Sequence, residues 1–62
     1  MPYINLRVAG ELNREQKQQI VAEFTQTMVR VANKPAEYVI VTIDEAPLAG
    51  WGWGGQLLDE AD

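Results

Sequence analysis

The sequence predicts an α+β protomer of the β-α-β type. Two parallel strands are joined by one amphipathic helix, a short C-terminal hairpin follows, and the chain is oligomeric. Three observations carry this. Apolar residues alternate from Pro2 to Val8, recur at helical spacing from Ile20 to Val31, and fill a β-branched run from Tyr38 to Ile43. A strand, a helix and a strand in succession make parallel neighbours with a right-handed crossover. Residues 1–62 form a single domain, since a chain of 62 residues has no room for a second.

In the first strand Pro2, Ile4, Leu6 and Val8 point one way and Tyr3, Asn5 and Arg7 the other. Ala9-Gly10-Glu11-Leu12 reads as the connection. Asn13 fits a helix N-cap, because its side chain can accept from the free amides of the first turn, and Gln16 stands where a capping-box partner belongs. From Arg14 the spacing is helical. Ile20, Phe24, Met28 and Val31 form a stripe that Val21 and Ala32 widen, while Lys17, Gln18, Glu23 and Arg30 are left for water or a partner. Asn33-Lys34-Pro35 closes the helix, since proline cannot continue it and displaces the residue before it from helical geometry.

The run Tyr38 to Ile43 is the second strand, apolar on nearly both faces, as in a strand covered on both sides. Asp44-Glu45-Ala46-Pro47 ends it. The glycines of Gly50-Trp51-Gly52-Trp53-Gly54-Gly55 permit positive φ and predict a tight hairpin. An acidic tail, Gln56 to Asp62, completes the chain.

A chain this short is marginal as a monomer and needs disulfides, a metal or self-association. Cys and His are both absent, which excludes disulfides and removes the usual zinc ligands. Two strands and one helix leave a sheet face bare, so the bare face is expected to meet another copy. Symmetric closure makes a homodimer, or a higher assembly of dimers, the expected form. The net charge of −4 argues against nucleic acid. No apolar run is long enough to span a membrane, and no leader segment is read at the N-terminus, so the cytoplasm is the expected location.

Proton transfer near neutral pH needs a group with a pKa near seven. With His and Cys absent, the group that starts closest is an α-amino group, at about 7.7–8.0. Removal of Met1 gives Pro2 such a group, as a secondary amine in a rigid ring. An apolar pocket lowers its pKa further by desolvating the charged form, and the neutral amine is then a general base. Proline also fits the first residue of a strand for purely structural reasons. Trp51 and Trp53 suit either an apolar pocket or a subunit interface. Their loop has no lysine beside it and no following helix, so it is not a phosphate loop.

Proline at the start of the first strand, the β-α-β order and Trp51-Gly52-Trp53-Gly54-Gly55 together resemble the 4-oxalocrotonate tautomerase family of the tautomerase superfamily. Asn13-Arg14-Glu15-Gln16-Lys17 is similar to the family's polar helix start, and Pro35 falls where the family often has proline. The resemblance covers essentially the whole chain. It implies dimers with joined sheets, commonly assembled three at a time into homohexamers. It implies an isomerase that uses no cofactor and no metal and acts on a small-molecule enol or 2-oxo acid. By position Pro2 is the catalytic base and Trp51 the pocket aromatic.

Two positions depart from the pattern. Where the family's dicarboxylate isomerases place arginines, this chain has Leu12 and Ile40. Neither can make the charge-assisted pair that an arginine offers a carboxylate. The substrate is therefore not expected to be the family's dicarboxylate. Lys34, Arg7 and Arg30 are the cations open to a substrate acid group, Trp51, Trp53 and Tyr38 the rings open to an apolar one, and a backbone N–H near Ala9, an ordered water or Lys34 the candidates to stabilise an enolate oxygen. A protonated Pro2 would instead suit hydration or conjugate addition. The competing class is a non-catalytic oligomeric binding or scaffold protein with a degenerate site.

Overall fold

The computed structural model describes residues 1–60. Strand β1, Tyr3–Ala9, is followed by helix α1, Arg14–Ala32, and strand β2, Ile40–Ala46. A hairpin of β3, Gly52–Trp53, and β4, Gln56–Leu57, follows, with single 3₁₀ turns at Ala36–Tyr38, Leu48–Gly50 and Leu58–Glu60. β1 and β2 are parallel, in register from Tyr3 opposite Ile40 to Ala9 opposite Ala46. The β-α-β unit and the antiparallel C-terminal hairpin are those the sequence predicts.

The helix begins and ends where its residues dictate. Asn13 accepts from the Gln16 N–H at 2.8 Å, and the Gln16 side chain accepts from the Asn13 N–H at 3.0 Å, closing the capping box. At the other end Asn33 turns left-handed, with φ of 60°, and Lys34 N–H donates to Met28 C=O. Gly54 and Gly55 both have positive φ, as a two-residue hairpin turn requires.

Four boundaries differ from the sequence reading. β1 runs Tyr3–Ala9 rather than Pro2 to Val8, so Ala9 closes the strand instead of opening the connection. Tyr38 lies in a 3₁₀ turn rather than a strand, because Pro35 starts a turn in which Tyr38 N–H donates to Pro35 C=O. Asp44 and Glu45 do not end the second strand but continue it to Ala46. Gln56 and Leu57 form a strand rather than a tail, and residues 61 and 62 of that tail lie outside the described residues.

The second face of β2 is also not apolar. Val41, Ile43 and Glu45 turn inward, while the bare face carries Ile40, Thr42 and Asp44 beside Tyr3, Asn5 and Arg7. That face is tied by polar contacts. Asn5 Nδ2 donates to Thr42 Oγ1 at 2.7 Å and to Asp44 Oδ2 at 3.1 Å, and the Tyr3 hydroxyl lies 3.0 Å from Thr42 Oγ1.

Among the described residues none is buried. Ile4, Leu6, Val8, Val41 and Ile43 share the inner layer with Ile20, Phe24 and Met28, yet all stay only half-buried. Val31, read as part of the core stripe, is 71% exposed, because a two-stranded sheet is too narrow to cover it. The chain presents 4980 Å² to solvent, whereas a compact monomer of 6.9 kDa presents about 4,000 Å². Its radius of gyration is 14.9 Å against about 11 Å for a compact chain of this length.

Among the described residues no further strand pairs with either edge of the β1–β2 sheet. Ile40 N–H donates to Pro2 C=O, and Gly10 N–H to Ala46 C=O. In a strand the N–H and C=O of one residue point to the same side, so even-numbered residues of β1 face β2. The backbone groups of Tyr3, Asn5, Arg7 and Ala9 therefore face outward along an unpaired edge.

Candidate active site

The register separates the candidate residues into two groups. Pro2 stands at the N-terminal end of β1, beside Ile40 and the turn that holds Tyr38. Lys34 lies in the connection leading to that end. Ala9, Leu12 and Trp51 lie at the opposite end, where β1 and β2 finish. The six-residue span between Tyr3 and Ala9 is about 20 Å at the rise of a strand. Within one chain the structure does not bring Pro2 together with Trp51, Ala9 or Leu12.

At the Pro2 end the groups are open. Pro2 is half-buried, Tyr38 is 57% exposed and Ile40 42% exposed. The Pro2 nitrogen is acylated by Met1 in the full chain, so a basic lone pair there requires removal of Met1. Lys34 makes no ion pair among the described residues.

The other end is tied down. Trp51 Nε1 donates to Ala46 C=O at 3.2 Å, the same oxygen that accepts from Gly10 N–H at 2.8 Å. Leu58 N–H donates to Trp51 C=O at 2.8 Å and extends the hairpin ladder. Trp51 is thus held by both neighbours, while Trp53 is 80% exposed. The Ala9 N–H faces the open edge and is not used by β2, so it is a donor available to a ligand or a second chain.

Glu45 and Lys17 are the members of this end that sequence reasoning missed. Glu45 Oε2 accepts from Leu12 N–H at 3.0 Å, and its other oxygen pairs with Lys17, which the sequence reading had left for water or an unnamed partner. The hydrogen bond from Lys17, the Leu12 N–H and the nearby ammonium charge hold the Glu45 carboxyl below its ordinary value. The signal was present in the spacing. Lys17 continues the stripe of Ile20, Phe24 and Met28 toward the sheet, and an inward charge needs a partner. This pair fixes the loop between β1 and α1, and with it Leu12.

Among the described residues no group of three or more carboxylates is placed to hold a metal ion. Nor is any helix among those residues long and apolar enough to cross a membrane.

Comparison with known proteins agrees with this architecture. The profile of the family described as tautomerase enzymes matches residues 2–61. A probable tautomerase of Dickeya dadantii is 36% identical over 61 residues, covering 97% of this chain and 91% of that protein. The crystal structure of DmpI from Helicobacter pylori superposes with a TM-score of 0.85 at 34% identity, covering 95% of this chain and 92% of that one. A 4-oxalocrotonate tautomerase isozyme of Methylibium petroleiphilum superposes with a TM-score of 0.84 at 29% identity, covering 94% of each.

Proposed function

The chain belongs to the tautomerase family, and from that premise we propose that it is an isomerase of enol or 2-oxo acids, with Pro2 as general base at a site shared by two copies. The observation that carries the reading is the open edge of β1 with Pro2 at one end and Ala9 at the other. Two sheets joined at that edge by a twofold axis run antiparallel there. Pro2 of one copy then lies beside Ala9 of the next, with Leu12 and Trp51 behind it. The pairing also supplies partners for the outward N–H and C=O groups of Asn5 and Arg7 and leaves the Ala9 N–H, at the end of the edge, open toward Pro2.

The chemistry follows from these neighbours. The Pro2 nitrogen takes the proton from C3 of a 2-oxo acid as the carbonyl becomes an enolate. The oxygen accepts from the outward N–H of Ala9, and the proton returns to carbon from the prolinium. Leu12 and Trp51 exclude water and lower the amine pKa by desolvation. Tyr38 and Lys34 border the other side. Without an arginine at Leu12 or Ile40, the reading disfavours the dicarboxylate substrates of the resembling family.

The second reading is an oligomeric scaffold with a degenerate site, and the same Leu12 and Ile40 favour it. Deuterium uptake at C3 of a 2-oxo acid separates the two. Intact mass first establishes that Met1 is absent. Pro2→Ala is then expected to lower exchange about 10²–10⁴-fold while sedimentation shows an unchanged assembly. A Met1-free protein that gives no exchange to lose is the scaffold outcome.

A further inference from the structure

We infer that the substrate carries one carboxylate and an uncharged apolar tail, with the carboxylate toward Lys34 and the tail toward the carboxylate-rimmed cleft at the Ala9 end of the second copy. This rests on the reading of Pro2 as the base of a shared site and goes beyond it by assigning charge and orientation to the substrate.

The inference comes from where the cations are used up. Lys17 is engaged by Glu45. Arg14 lines the flank of α1 that holds Lys17, Gln18 and Val21, whereas Leu12 lies on the opposite flank with Gln16 and Ile20. Arg7 projects from the bare face in register with Asp44. Arg30, in the last turn of α1, and Lys34, just beyond it, remain toward the Pro2 end without an ion pair among the described residues, with Glu37 in the turn that follows.

The other end has the reverse character. A cleft of about 650 Å³ opens there between Gly10, Glu11, Glu45, Leu48 and Asp59. Lys17 offsets Glu45, but Glu11 and Asp59 have no ion-pair partner among the described residues. The Trp51 N–H is already committed to Ala46, so the ring offers its face rather than its donor. A ligand tail entering this cleft meets Pro47, Leu48 and Ala49 rimmed by carboxylates. An apolar tail fits that setting, and a second carboxylate would face like charge while losing water.

Three matched compounds test this with the Met1-free protein: 2-oxohexanoate, 2-oxohexanedioate and hexan-2-one. Deuterium uptake at C3 is followed by NMR. The monoacid is expected to exceed the diacid in kcat/KM by about tenfold, the factor set by one modest unfavourable charge contact. Lys34→Ala is expected to raise KM for the monoacid several-fold more than for the ketone. Glu11→Gln with Asp59→Asn is expected to narrow the gap between monoacid and diacid. A diacid that reacts as well as the monoacid, or a Lys34→Ala effect equal for monoacid and ketone, overturns this inference and leaves Pro2 as base intact. Exchange that survives Pro2→Ala, or is absent with all three compounds, overturns the Pro2 reading and this inference with it.

Discussion

The two ends of the parallel sheet differ in what they hold and in how firmly. The Pro2 end presents its groups with few ties. Tyr38 and Ile40 are exposed, and Lys34 makes no ion pair among the described residues. The Ala9 end is braced by hydrogen bonds from Gly10 and Trp51 to one carbonyl and from Leu12 to Glu45. Their charges differ as well, with Arg30, Lys34 and Glu37 toward the first end and Glu11, Asp59 and the Lys17-paired Glu45 gathered at the second. Neither end is a site by itself. One supplies a candidate base, the other a wall and a free N–H. The contrast is what the proposed antiparallel pairing uses, since it would set each end against its opposite, where unlike charges also meet.

The most severe way to break the comparison is to block the β1 edge that the proposed pairing would use. Asn5 directs its N–H outward, so Asn5→Pro removes an edge donor without removing a bond to β2. Sedimentation velocity should show loss of the assembly, and C3 exchange should fall to background with it. The next contrast sets the held tryptophan against the exposed one. Trp51→Ala should lower kcat/KM about 10²-fold by releasing the wall behind Pro2, whereas Trp53→Ser should change the rate far less. Equal effects would mean that the hairpin acts as a unit rather than through Trp51.

A smaller effect tests the brace at the Ala9 end. Glu45→Gln should lower the urea midpoint at neutral pH, because Lys17 loses its charged partner. The folded pKa of Glu45 lies below the unfolded one. Its contribution is therefore full above the ordinary carboxylate value of 4.5 and is lost as pH falls through the lower folded value. Wild type and variant should converge in that acid window, which paired urea titrations would read. Smallest of all is the helix start. Asn13→Ala removes the cap and should cost about 1 kcal/mol in the same titrations, with little change in exchange rate.

Much of the fold was legible in the residues. The alternation from Pro2 to Val8, the Asn13 cap and the Pro35 stop each specify a local conformation through a mechanism that needs no tertiary context. The errors fell where tertiary context decides. Tyr38 has strand propensity, but the turn begun at Pro35 takes it first. Asp44 and Glu45 look like strand breakers, yet one lies on a polar face and the other has Lys17 and Leu12 as partners. Val31 reads as core and stands exposed on a single chain. The candidate site was legible as residue types, not as an arrangement. Pro2 and Trp51 could be named from the chain, but only the parallel register puts them at opposite ends of the sheet.

The most direct test of the shared site is complementation between two inactive variants. Pro2→Ala and Trp51→Ala chains are unfolded together, mixed in equal amounts and refolded, and C3 exchange is compared with each variant refolded alone. In a mixed pair one site carries both lesions and the other carries none. Exchange should recover to about a quarter of the wild-type rate, the share of intact sites in a twofold assembly mixed at random. A mixture no more active than the average of its two components, with mixed assemblies present by native mass, would contradict a site built from both ends of the sheet.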